Sequence, residues 1–323
     1  MAADPKTITD NLDLWSSALL TKSTAGRGSN GRVEAYGIKK LRELILELAV
    51  RGKLVPQNPT AEPATIVLLK LIKRKSATLN PLNTDEAPFE PRLGWVWVNL
   101  GDIAEIERGG SPRPINAYLT DADDGLNWIK IGDTEKGSKY ITSTEEKIRK
   151  EGLTKTRMVY PGDFLLTNSM SFGRPYITKI EGCIHDGWLR IHPPGILEKD
   201  FLYYLLSSPY VAKFFRTAAA GAVVMNLNAD KVRELPIPIP PLAEQQQISA
   251  KVDELMTLCD QLEQQQTNSI EAHQTLVETL LSTLTNAVRP EPVEGRGPPQ
   301  PSTLRLLDKL AAQDERLGGT SSA

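Results

Sequence analysis

The chain has 323 residues, 40% hydrophobic and 24% charged, and its 38 basic and 40 acidic side chains leave a formal charge of −2. That composition excludes wholesale disorder and a simple polybasic nucleic-acid tail. At roughly 100–200 residues per domain, the length suits one large or two modest domains. No apolar run reaches the roughly 18 residues that a membrane span needs, and the opening residues from Met1 to Lys6 lack the apolar centre of a signal peptide, so a cytoplasmic protein is expected. Cys183 and Cys259 form neither a disulfide framework nor a CxxC motif and are expected to be reduced thiols.

In chain order, residues 1–36 show little periodicity, and the Gly/Ser-rich stretch from Thr24 to Arg32 predicts a flexible segment with little structure. Residues 37–92 form a helical segment and linker. Ile38, Leu41, Ile45, Leu48 and Ala49 fall at helical spacing and Gly52 supplies a stop. A second helix is predicted from about Pro63 to Lys75, where Lys73, Arg74 and Lys75 favour the negative end of the helix dipole.

Residues 93–240 read as a mixed domain of α+β class. Trp95 and Trp97 alternate with Val96 and Val98, the period of a strand. Further strands are predicted at 127–131, 139–141, 163–167, 174–180 and 187–191, each bounded by turn-forming residues. A helical stretch from Lys199 to about Thr217 is broken by Pro209, and the prolines between Leu235 and Pro241 exclude a helix there.

Residues 241–288 carry the longest periodic pattern. Ile248, Val252, Leu255, Cys259 and Leu262 follow the alternating spacing of a coiled-coil seam. After Gln266 the apolar line resumes displaced at Ile270, Val277, Leu281, Leu284 and Val288, as a stutter would produce. A helix of this span is about 70 Å long at 1.5 Å per residue and must pack along another helix, in this chain or another. Ile248, Val252, Leu255 and Leu262 are the expected packing or partner-binding positions. Residues 289–323 predict a Pro/Gly-rich tail with a weak helix.

Catalytic patterns are missing: no GxxxxGK[ST], HExxH or GxSxG occurs, and no GxGxxG follows a predicted strand. Asp133, Glu135, Glu145 and Glu146 near Lys136 and Lys147 faintly suggest a Mg²⁺ nuclease site, but solvated loops are the plainer reading. Cys183 and His185 lack an orienting third group, and His185 and His192 lack a partner ligand set for a metal. No catalytic residue, metal or cofactor is therefore assigned to this chain.

DNA binding is better supported, although not by net charge, since residues 94–236 hold 18 basic and 18 acidic side chains. Affinity must come from segregation of charge onto one face. Three polar loops have suitable chemistry: Arg108 to Arg113, Thr167 to Arg174, and Asn226 to Lys231. Their candidate DNA-facing residues are Ser111, Arg113, Asn168, Ser169, Ser171, Arg174, Asn226, Asn228 and Lys231.

Several segments in order resemble the DNA-specificity subunit of a type I restriction-modification enzyme: Lys40 to Pro56, Gly94 to Ile103, Gly109 to Pro112, Gly162 to Ser169 and, most specific, Leu235 to Ile248. The resemblance implies a non-catalytic reader of double-stranded DNA whose long helix acts as a spacer. It further implies methylation subunits that use S-adenosylmethionine on adenine, and a restriction subunit that uses ATP and Mg. Such subunits generally carry two recognition domains and two long helices, whereas this sequence shows one of each. Two readings follow: a half-sized subunit pairing with itself as a homodimer to read an inverted repeat, or a truncated product. A stand-alone nuclease with a recognition module and a coiled-coil scaffold are the alternatives from other classes.

Overall fold

A computed structural model describes residues 14–15, 18, 20–22, 32–34, 36–75, 82, 87–135, 137–168, 172–192, 195–219 and 227–287. The chain divides into two compact units, residues 1–266 and 267–323. Strands β1 (Leu20–Lys22) and β2 (Arg32–Glu34) pair antiparallel. This corrects the expectation of little structure before residue 37: a β-branched residue in each three-residue segment suits a strand, although neither segment is long enough to show a period. Gly37 donates its N–H to Ala18 O at 2.9 Å.

Helices α1 (Tyr36–Val50) and α2 (Ala64–Lys75) follow, close to the predicted positions. The side chains of Lys73, Arg74 and Lys75 lie outside the described residues. Next come β3 (Val96–Asn99), the single turn α3 (Leu100–Ile103) and β4 (Glu105–Arg108). The chain then builds β5 (Leu126–Ile129), β6 (Tyr140–Ile141), β7 (Glu146–Ile148), β8 (Arg157–Val159) and β9 (Phe164–Thr167). Strands β10 (Pro175–Thr178), β11 (Gly182–Ile184) and β12 (Trp188–His192) complete the two larger sheets.

One sheet has the order β4-β12-β9-β10-β6 and the other β7-β5-β11-β8; only the β10–β6 and β11–β5 pairings are parallel. The β11–β12 connection crosses from one sheet to the other. Its turn, His185–Gly187, therefore stands at their seam. Strands β7, β8 and β11 have three residues each, too few to show a period of two, and β4 is mostly charged; they form because neighbouring strands supply the ladder partners. Buried Asp163 fixes the entry to β9. It accepts from the Tyr160 N–H and from Arg190 Nε, both at 3.0 Å, and pairs with His192 Nδ1 at 2.8 Å.

The helical stretch after β12 splits as Pro209 dictates, into α4 (Lys199–Leu206) and α5 (Pro209–Ala219), with proline at the first position of the second helix. After α6 (Ala229–Arg233), β13 (Pro236–Ile239) pairs antiparallel with β3. This is a two-stranded edge where alternating prolines leave every second residue with its donor. Trp97 on β3 meets Phe89 edge-on at 4.7 Å and Tyr210 at 6.1 Å.

Helix α7 (Leu242–Ala287) is continuous over 46 residues; Val288 lies outside the described residues. Ile248, Val252, Leu255 and Cys259 are buried, and Leu262 packs partly buried on the same cluster. That cluster runs from Ile38 on α1 through both Trp95 and Leu202 to Cys259, so the predicted seam is occupied by the chain's own elements. Arg42 on α1 bonds Asp260 at 2.6 Å and Glu263 at 2.9 Å. As partner-binding positions, Ile248, Val252, Leu255 and Leu262 are thus corrected to an internal interface, because the apolar faces of α1 and α4 were available to bury them. Among the described residues no helix is long and apolar enough to cross a membrane.

Candidate nucleic-acid interface

At the seam of the two large sheets lies a cleft of about 900 Å³. Its walls include Arg108, Ser111, Arg113, Lys130, Asn168 and Asp186, over a floor containing Trp128 and Ile131. The loop after β4 reaches the cleft through Gly109 and Gly110. A Cβ on Gly109 would sit 2.2 Å from His185 O and one on Gly110 2.4 Å from Lys155 O, so only glycine allows this approach.

Two of the polar loops singled out in the sequence are stitched to one turn, and the third is tied to one of them. Ser111 Oγ donates to Asp186 Oδ1 at 2.8 Å, and the Asp186 N–H donates to Ser111 Oγ at 3.3 Å. Asn168 Nδ2 donates to Asp186 O at 2.7 Å, and its backbone N–H donates to Gly187 O at 3.0 Å. The Leu227 N–H donates in turn to Asn168 O at 2.9 Å, bringing in the segment that leads to α6. Arg108 Nε donates to Asp186 O at 3.2 Å.

His185 beside this turn has a backbone N–H near each ring nitrogen, Gly187 at 2.7 Å from Nδ1 and Ile131 at 3.0 Å from Nε2, and a neutral ring accepts from one of them. Burial, helped by Lys130, lowers its pKa and favours the neutral ring despite the nearby Asp186 and Asp133 carboxylates. Burial works against the charge of Asp186. The Ser111 hydroxyl, His185 and Arg113 outweigh it and hold this carboxyl below the usual aspartate range. Lys130 is also partly desolvated, yet Glu146 at 3.0 Å keeps its pKa raised.

The sequence-predicted residues divide accordingly. Ser111 and Arg113 meet at the cleft around Asp186, and Arg113, 80% exposed, lies 3.5 Å from Asp186 Oδ2. Asn168 is 2% exposed with its amide spent on the turn, so its expected direct role is corrected to a brace for the loops. Asn228 caps α6, its side-chain oxygen accepting from the Lys231 N–H at 2.9 Å. This N-cap uses the side-chain oxygen and leaves the residue exposed. Arg174 is exposed at the foot of the β9–β10 hairpin, its N–H donating to Thr167 Oγ1 at 2.9 Å. Ser169, Ser171 and Asn226 lie outside the described residues.

Asp186 was not singled out in the sequence, where an Asp-Gly pair between two strands signals only a turn. The other suspected chemistry resolves structurally. Burial pushes the Cys183 thiol up to about 11 and places its sulfur 3.9 Å from that of Met158. Asp133 accepts from the Lys130 N–H at 2.6 Å, and Glu146 pairs with the Lys130 ammonium.

Comparison with known proteins gives these observations a family. The chain is 38% identical over 308 residues to the type I restriction enzyme EcoEI specificity subunit of Escherichia coli, covering 88% of this chain and 50% of that protein. It is 37% identical over 309 residues to the EcoAI specificity subunit of the same organism, covering 87% and 50%. The chain spans about half the length of the curated relatives it matches. A solved structure described as the structural basis of complex assembly and conformational transition of the type I R-M system aligns at 18% identity and TM-score 0.50, over 85% of this chain and 67% of that one, a likeness of fold. Residues 93–272 match the family described as Type I restriction modification DNA specificity domain, a span that takes in both large sheets, the His185–Gly187 turn and most of α7. On that match, this chain belongs to the type I restriction-modification DNA specificity family.

Proposed function

We propose that this chain is the non-catalytic, sequence-reading component of a type I restriction-modification assembly, acting in the cytoplasm on double-stranded DNA. The observation that carries this reading is the joining of two polar loops to one turn, with a third tied to them through Asn168, inside the family-matched span. Residues 93–240 would serve as the recognition domain for one half of a split site, and 241–288 as the spacer helix. Although the domain is neutral overall, the cations Arg108, Arg113 and Lys130 outnumber the acids Glu146 and Asp186 at the cleft, and exposed Arg113 supplies a positive charge that phosphate contacts can use. Methylation subunits carrying S-adenosylmethionine, and a restriction subunit using ATP and Mg, would do the covalent work.

Selection of the full chain on a randomised duplex pool, alone and with the methylation subunits of the same system, tests this. Enrichment of a defined motif is expected. Mg²⁺-dependent cleavage by the chain alone would favour the nuclease reading, and failure to retain any duplex with the subunits present would favour a scaffold.

One further observation supports self-pairing. In the distal part of α7, Leu276, Val277, Leu280 and Leu281 are exposed, an apolar stripe at helical spacing. A homodimer joined there would read an inverted repeat. Sedimentation of the chain alone and with methylation subunits would detect it.

A further inference from the structure

Two acids line the cleft and they are held in different ways. Glu146 is tied to Lys130 at 3.0 Å. Asp186 has its main chain bolted in place instead: its carbonyl accepts from Asn168 Nδ2 and Arg108 Nε, and its N–H donates to Ser111 Oγ. Its Oδ1 accepts from Ser111 Oγ at 2.8 Å. Its Oδ2 lies 3.5 Å from the Arg113 guanidinium, well beyond the roughly 2.7–2.9 Å of a strong charged hydrogen bond. The side chain is 44% exposed. An anionic acceptor is thus held in a fixed position with one oxygen weakly engaged, beside an arginine free to leave. Such preorganisation is what discrimination between base edges requires.

We infer that Asp186 is a specificity-determining residue whose carboxylate accepts a hydrogen bond from an exocyclic amine in the DNA major groove, cytosine N4 or adenine N6, while Arg113 leaves it to contact the duplex alongside. The inference rests on the reading of this chain as a DNA reader. In the major groove, cytosine and adenine present amine donors where guanine and thymine present keto oxygens. An ionised carboxylate carries no donor. Placed against a keto oxygen it meets a second acceptor with no proton between them, and that unpaired contact rejects the wrong base. Asparagine in the same place retains the acceptor for Ser111 yet can turn its amide outward to donate.

The test selects full-length wild type and Asp186→Asn, each with methylation subunits, on the same randomised duplex pool at fixed salt. At one position, wild type is expected to prefer adenine or cytosine over guanine or thymine, and Asp186→Asn to reduce that preference by about tenfold with the rest of the motif intact. Arg113→Ala keeps the carboxylate and is expected to retain the amine preference. An Asp186→Asn chain that binds more weakly at every sequence with an unchanged motif would make Asp186 a brace only and overturn the inference. Loss of the amine preference in Arg113→Ala would assign that preference to Arg113 and overturn it equally. A wild-type chain that enriches no motif would defeat the DNA-reader proposal itself, a result unlike either of these.

Discussion

Glu244 sits in the first turn of α7 with both carboxylate oxygens buried, close to the Trp95 indole N–H. Burial raises its pKa above the ordinary glutamate value of 4.5, opposed by the nearby Trp95 and Arg92. The folded state therefore binds this proton more tightly than the unfolded chain does. Its contribution is fully present below pH 4.5 and is lost as pH rises through the folded value. Glu244→Gln removes the buried charge, so it is expected to be more stable than wild type at pH 7.5, with the advantage shrinking toward pH 4.5; urea midpoints at both values would measure this. Arg174 poses the opposite case, an exposed residue on the loop between β9 and β10. Arg174→Ala should leave the urea midpoint unchanged and relax preference at one base pair by about 1–3 kcal/mol, read from the same duplex selection. These two residues also mark what single side chains disclose. Arg113 and Arg174 stood out because guanidinium groups in Gly- and Ser-containing loops have few internal uses. Asn168 and Asn228 carry the same polar chemistry, but their burial and capping depend on a turn and a helix start that neighbouring residues alone do not define.

At the scale of elements, α7 was legible because its heptad spacing persists over many turns. The sequence did not reveal who fills the seam. Its first half is covered by α1 and α4, whose own amphipathic faces are read separately and carry no label for each other. The two halves of the helix should respond differently to truncation. Leu255→Ala, in the buried half, is expected to cost about 2–5 kcal/mol, whereas Leu280→Ala, on the exposed stripe, should change stability by less than about 0.5 kcal/mol at dilute concentration. Denaturant titration of both variants would show the contrast. The longer strands, such as β9 and β12, appeared as apolar runs between turn residues. Strand β4, Glu105–Arg108, has three charged side chains out of four and exists through its ladder to β12. Its partner is remote in sequence, and no local pattern announces it.

For the whole molecule, the α+β class followed from short strands succeeded by helices rather than alternating with them. Charge had to be read locally, since a balance of 18 against 18 over residues 94–236 hides the cations gathered at the cleft. Binding to duplex DNA should accordingly weaken steeply with salt, as each neutralised phosphate lowers the slope of log K against log salt by about 0.9. A titration of affinity between 50 and 200 mM salt, roughly the range over which that effect is large, would count the contacts; a flat line would remove phosphate neutralisation from the account.

The ties between α7 and the segment before it bear on any exchange of residues 93–240 between related chains. Gln245 Nε2 donates to Ile196 O at 3.0 Å, Ser249 Oγ to Glu198 Oε2 at 2.8 Å, and the Tyr204 hydroxyl to Asp253. A transplant cut at the start of the long helix would import one half of each pair and leave its mate behind. Recombinants that retain cooperative unfolding should therefore be those whose donor DNA extends past codon 253, so that the foreign sheets arrive with the helical backing that was shaped to them.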